Sequence, residues 1–132
     1  MNEEPLRVTD PALTAVRDEL AAREPVFHHP EFGTSVEDLD RQAAAGFEEV
    51  GASGRRYSRE FVLATVHDRF ARGVLDDPWA ADGFHCRALA PDTYLLTYDL
   101  RQGARLTRRA TIWHRAEHGW QVVYHQGTVA TD

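Results

Sequence analysis

No lysine occurs anywhere in the 132 residues of this chain. Schiff-base catalysis and a phosphate loop of the Gly-Lys-Ser/Thr type both need an ε-amine, so neither is open to it. Cys86 is the only cysteine, which rules out an internal disulfide and fits a reducing compartment. Cysteine in an apolar strand segment is ordinarily a small hydrophobe, and Cys86 is read that way rather than as a nucleophile. No apolar run approaches the ~20 residues of a membrane span. The opening, Met1-Asn2-Glu3-Glu4-Pro5, is acidic where a secretory signal would be basic. The expected address is the cytoplasm, with no membrane partner.

The net charge of -6 is uneven. Residues 1–50 hold twelve Asp and Glu against four Arg, and the remainder holds nine against eleven. A mildly basic C-terminal part is not the concentrated basic patch that nucleic acid requires, so no nucleic-acid partner is expected. The length suits one domain over residues 1–132, with residues 1–8 as a loose lead-in.

The most informative stretch runs from Thr93 to Thr128. It is rich in β-branched and aromatic residues and is broken at Gln102-Gly103-Ala104 and Glu117-His118-Gly119, the pattern of an antiparallel meander. With Arg101 and Arg105 flanking the first turn, and Arg115 and Trp120 the second, two faces are predicted. One gathers Tyr94, Leu96, Tyr98, Ala110, Ile112, Val123 and His125, with Arg108. The other gathers Leu95, Thr97, Arg109, Thr111, Trp113, Trp120, Val122, Tyr124 and Gln126. Neither face is cleanly polar, so both should be covered: one by helices, the other by a cavity, more helix or a second subunit.

Upstream, Thr9 or Asp10 can cap a helix with Pro11 in its first turn and Leu13, Val16 and Leu20 on one stripe, ended by Pro25. Thr34 and Glu37 have capping-box spacing, which predicts a short helix to about Ala45 that stops at Gly46. Phe47 to Val50 is a strand candidate, and Gly51 to Gly54 a turn or bulge. Ser58 caps a third helix from Arg59 to about Arg72, with Val62, Val66 and Phe70 as its stripe and Gly73 past its end. Asp76-Asp77-Pro78 forces the chain out of helix, and Phe84 to Leu89 is another strand, followed by a turn at Pro91-Asp92. Three helices packed on a strongly bent, mainly antiparallel sheet make an α+β fold.

The order of elements, the segment Phe47-x-Glu49-Val50-Gly51-x-Ser53-Gly54, and a close on Ile112-Trp113 and Gly119-Trp120-Gln121-Val122-x-x-His125-Gln126-Gly127-Thr128 resemble the nuclear transport factor 2-like superfamily. Within it the chain is similar to bacterial SnoaL-like domains of unknown function, which His28-His29-Pro30-Glu31-Phe32-Gly33 also fits. The resemblance implies a cone-like α+β barrel with a pocket at its open end, often dimeric through the outer face of the sheet. It implies no single activity.

Two residues are candidate catalytic groups. His125 is of the residue type suited to a general base or a hydrogen-bonding partner for a ligand, although His125 and Gln126 point to opposite faces unless the strand bulges. Glu49, if buried, would be a carboxylate able to move protons. The competing account has Glu49 accepting bonds from the Gly51–Gly54 turn or pairing with Arg55 or Arg56. Trp79 and Trp113 complete the candidate ligand-binding set. Burying one tryptophan is worth about 5 kcal/mol, which accounts for Trp113 and Trp120 without a ligand. Trp79, at a junction of loop and strand, is placed to lie over the cone mouth.

Arg105, Arg108 and Arg109 are candidates for binding an anion. The seven histidines lack metal-ligand spacing: His28 and His29 are adjacent, His67 stands alone, and His114 and His118 straddle a turn. No metal and no cofactor are expected. The leading expectation is a small-molecule-binding cone domain, its ligand small and apolar or part polar. The alternatives are a lyase or isomerase with His125 or Glu49 as base, and a non-enzymatic module that forms a homodimer through the sheet.

Overall fold

Asp10 starts the first helical segment by accepting a hydrogen bond from Ala12 N at 2.9 Å. Pro11 opens a 3-10 turn, Pro11–Leu13, which runs into α1, Thr14–Ala21. The other cap candidate, Thr9, bonds elsewhere; its hydroxyl accepts from Cys86 N at 3.1 Å and ties the N-terminal segment to the sheet. The computed structural model describes residues 3–74 and 78–131. The expected helix break at Asp76-Asp77 lies outside the described residues.

The second helix departs from expectation at both ends. Ser35, not Thr34, is its cap, with Ser35 Oγ accepting from Asp38 N at 3.0 Å, and α2 covers Val36–Gln42. The run Ala43-Ala44-Ala45 has the highest helical propensity in the segment, yet it is already strand β1, Ala43–Val50. Arg59 explains the early stop. Its guanidinium donates to the backbone oxygens of Asp40 (2.9 Å), Ala43 (3.1 Å) and Ala44 (3.0 Å), carbonyls a longer helix would consume. Ala43 and Phe47 are buried as a result, so tertiary burial overrides propensity.

A short strand, β2 (Arg56–Ser58), leads into α3 (Arg59–Ala71). Ser58 Oγ accepts from Phe61 N at 3.1 Å as the cap, Val62 and Val66 are buried, and Gly73 stands past the end at φ +65, a conformation costly for other residues.

The remaining strands are β3 (Ala80–Ala90), β4 (Thr93–Gln102), β5 (Arg105–Ala116) and β6 (Gly119–Val129). They form one six-stranded sheet in the order β2-β1-β6-β5-β4-β3, antiparallel except for the parallel β1–β6 pair. Helices and the loop after α1 pack on its concave face over Leu96, Tyr98, Leu100, Trp113, Trp120 and Val122. No helix of the described residues is long and apolar enough to cross a membrane.

Register differs from expectation in two places, and both bear on the site. The β4–β5 turn has two residues, Gly103 and Ala104, so Gln102 rather than Arg101 pairs with Arg105. Gly103 sits at φ +63 in the first central position, as a II′ turn requires. The one-residue slip brings Arg109, Thr111 and Trp113 onto the face of Tyr94, Leu96 and Tyr98, and sends Ala110 and Ile112 to the convex face with Leu95 and Thr97. In β6 the ladder shifts between Ile112–Tyr124 and Trp113–Val122, leaving Val123 as one extra residue. That bulge reverses the alternation. Trp120, Val122 and His125 are therefore all buried on the concave side, and Gln126 turns outward.

Candidate functional site

The loop after α1 carries a buried carboxylate. Glu24 is 3% exposed, with Oε1 accepting from Tyr98 OH at 2.7 Å and Val26 N at 3.1 Å, and Oε2 accepting from Trp113 Nε1 at 3.0 Å. Three donors to one carboxylate offset the cost of removing it from water. Burial pushes the Tyr98 phenol pKa far above its ordinary range, and the neighbouring Glu24 charge pushes it further. Tyr98 therefore serves as a donor held un-ionised. Sequence reasoning did not single out Glu24. Its signal was an acid set in the apolar stretch around Val26 and Phe27, directly before Pro25.

The same loop continues through Phe27, a buried non-glycine residue at φ +66 whose carbonyl accepts from Arg69 Nη2 at 2.6 Å. A bulky residue in the left-handed region is a strained choice that the surroundings must impose. Trp79 packs edge-on against His28 and His29, 5.9 Å between ring centroids in each case. His29 Nε2 lies 2.8 Å from the Glu24 carbonyl oxygen.

On the sheet, Glu49 of β1 and His125 of β6 are direct partners in the parallel pair, and Glu49 Oε1 lies 2.8 Å from His125 Nδ1. A carboxylate oxygen only accepts here, so Nδ1 carries the hydrogen. His125 is 2% exposed and the Glu49 side chain 24%. The other ring nitrogen, His125 Nε2, is buried without a hydrogen bond, as is Oγ1 of Thr111, its cross-strand partner.

Glu49 opens onto a cavity of about 340 Å³ at the mouth of the cone. Tyr57, Phe61, Val62 and Val66 form one wall, the Val26–His28 loop another, and Arg55 and Arg69 bring cationic side chains to it. Tyr57 and Phe61 stack there, 5.2 Å between centroids at 15°. Of the four residues expected to bind ligand, Glu49 lines this cavity and His125 backs Glu49. Trp113 anchors Glu24, and Trp79 packs on the two loop histidines.

The expected anion set does not gather. Arg108 Nη1 pairs with Asp99 Oδ2 at 2.8 Å, Arg109 Nε donates to Thr107 Oγ1 at 2.9 Å, and Arg105 stays exposed beside its turn. Arg108 and Arg109 border a second hollow, of about 500 Å³, between the sheet and Arg7 of the N-terminal segment. Among the described residues no three His, Cys, Asp or Glu side chains group as metal ligands.

The geometry defines a class: a curled α+β cone with helices in its palm, a polar pair on the inner sheet and a cavity at the mouth. This is the nuclear transport factor 2-like fold. A protein of that description from Cytophaga hutchinsonii superposes with a TM-score of 0.65 at 15% identity, over 86% of this chain and 98% of that one. A further such protein of unknown function, from Pseudomonas aeruginosa, gives 0.62 at 16%, over 89% and 99%. A putative calcium/calmodulin-dependent kinase II association domain from Exiguobacterium sibiricum gives 0.60 at 16%, over 99% of each. No protein-family model and no curated protein matches the sequence.

Proposed function

We propose that this cone is a small-molecule-binding domain whose ligand sits in the mouth cavity against Glu49. The observation that carries the reading is the placement of Glu49: one carboxylate oxygen is held by buried His125 while the side chain still reaches a space walled in part by aromatic and aliphatic side chains. Ligand sites are typically concave and apolar with a few fixed polar groups, in volumes of about 300–1,000 Å³. The cavity falls at the small end of that range, which suits a single-ring ligand better than a sterol. Native mass spectrometry of protein taken directly from cells, paired with Glu49→Gln, tests this. A retained small molecule that the variant loses supports the reading; a chain that never carries or takes up one counts against it.

The same pair supports an enzymatic version, a lyase or isomerase in which Glu49 accepts a proton from a substrate carbon. In an isomerisation that proton returns at another carbon, and no further reactant is needed. His125, out of reach of the cavity, would orient the carboxylate and stabilise its charge. The dyad at 2.8 Å favours this reading over His125 as base. A turnover assay on the retained molecule separates binder from catalyst.

A third reading concerns the convex face, where Leu95, Ala110, Ile112 and Val123 are only half-buried. A second copy of the chain would cover them, and the neighbour described as an association domain makes self-association a natural comparison. Sedimentation of wild type and Ile112→Arg decides it: a dimer that the substitution dissociates supports the reading, and a monomer at all concentrations removes it.

A further inference from the structure

Among the described residues Glu49 is the one acid lining the mouth cavity, and its charge is already engaged by His125. Two guanidiniums stand at the same cavity. Arg69 is committed to the wall, holding the Phe27 carbonyl at 2.6 Å. Arg55 is different: it projects from the end of the Gly51–Gly54 turn, and among the described residues its guanidinium makes no hydrogen bond or ion pair. The alternative expectation, an Arg55–Glu49 pair, is therefore not what the fold builds. The mouth carries a cationic excess in a protein whose net charge is -6. Beside the two guanidiniums stand the stacked Tyr57–Phe61 pair with Val62 and Val66, and the polar side chains of His28 and Thr65.

We infer, resting on the cavity reading above, that the ligand class is a small aryl or similarly flat carboxylate. Its acid group pairs with Arg55, its apolar body lies on the Tyr57–Phe61 wall, and its far end reaches Glu49. A guanidinium presents two parallel N–H groups that match a carboxylate, a bidentate geometry that gives even an exposed cation such as Arg55 a directional partner.

The test uses phenylacetate and cinnamate against their primary amides, titrated into the full chain by calorimetry and by amide-shift mapping. The acids are expected to bind about tenfold more tightly than the amides, the scale of one charge-assisted hydrogen bond. Shifts should centre on Glu49, Tyr57 and Val66. Arg55→Met should erase the preference, and Arg56→Met, one residue along and outside the cavity lining, should keep it. Amides that bind as well as acids, a preference that survives Arg55→Met, or shifts centred on Arg108 and Arg109 would each overturn the carboxylate assignment while leaving the cavity reading standing. Failure of both series at millimolar concentration overturns both.

Discussion

Glu24 and Trp113 meet at 3.0 Å, oxygen to indole nitrogen, across most of the sequence. The contact fastens the loop after α1 to the middle of the sheet, and Tyr98 doubles it at 2.7 Å. Because that loop also supplies Phe27 and His28 to the cavity wall, the buried acid sets where the mouth begins.

Glu24→Ala strands the donors of Tyr98, Trp113 and Val26 in a dry interior. It should cost about 3–5 kcal/mol of folding free energy, the range for breaking a buried charged network. Glu24→Gln places an amide donor against donors and should lose less, about 1–3 kcal/mol. Urea denaturation with an unchanged m-value measures both.

The raised pKa of Tyr98 gives the protein an alkaline weakness. Below the ordinary tyrosine value of about 10 the phenol is protonated in folded and unfolded chains alike, and its contribution is fully present. As pH climbs past that value the unfolded chain gives up the proton while the folded one keeps it, so stability falls. Thermal melts between about pH 9 and 11 should show a steeper loss for wild type than for Tyr98→Phe. Parallel curves would show that Tyr98 does not carry the effect.

Glu49 and His125 should separate when each is changed alone. Glu49→Gln keeps an oxygen for His125 Nδ1 and sits at a partly exposed position, so the expected loss is below about 1 kcal/mol. His125→Ala empties a buried site and should cost about 2–4 kcal/mol. Equal losses in chemical denaturation would make the pair purely architectural.

Burial pushes the Cys86 thiol pKa up, with Arg17 only partly opposing. Disulfide reagents attack thiolate, so Cys86 should stay unmodified in native protein at about pH 8 and react fully once urea unfolds the chain. Rapid labelling of the native form would show that the β3 edge opens.

The caps and stripes of α1 and α3, the β3–β4 and β5–β6 turns and the α+β class were legible because each is local: Asp10, Ser58, Pro91-Asp92 and Glu117-His118 act within a few residues. What stayed hidden depends on distant partners. The end of α2 is decided by Arg59, far along the chain, and nothing in Ala43-Ala44-Ala45 announces it. Glu24 drew no notice because its three donors come from Val26, Tyr98 and Trp113, two of them on strands whose register only the fold reveals. Glu49 and His125 were both visible as candidates; their pairing needed the parallel β1–β6 contact, which no short-range signal encodes.

Val123 is a single surplus amino acid, and it works as a frame shift written into one strand. Threaded through regular alternation instead of a bulge, it would make the last stretch of β6 show the interior an amide and leave the imidazole facing solvent. Deleting it would leave the registers on either side as they are, Trp113 opposite Val122 and Ile112 opposite Tyr124, with His125 still inward. The Glu49 partnership thus rests on the ladder absorbing one extra residue locally, and on the place along β6 where it does so.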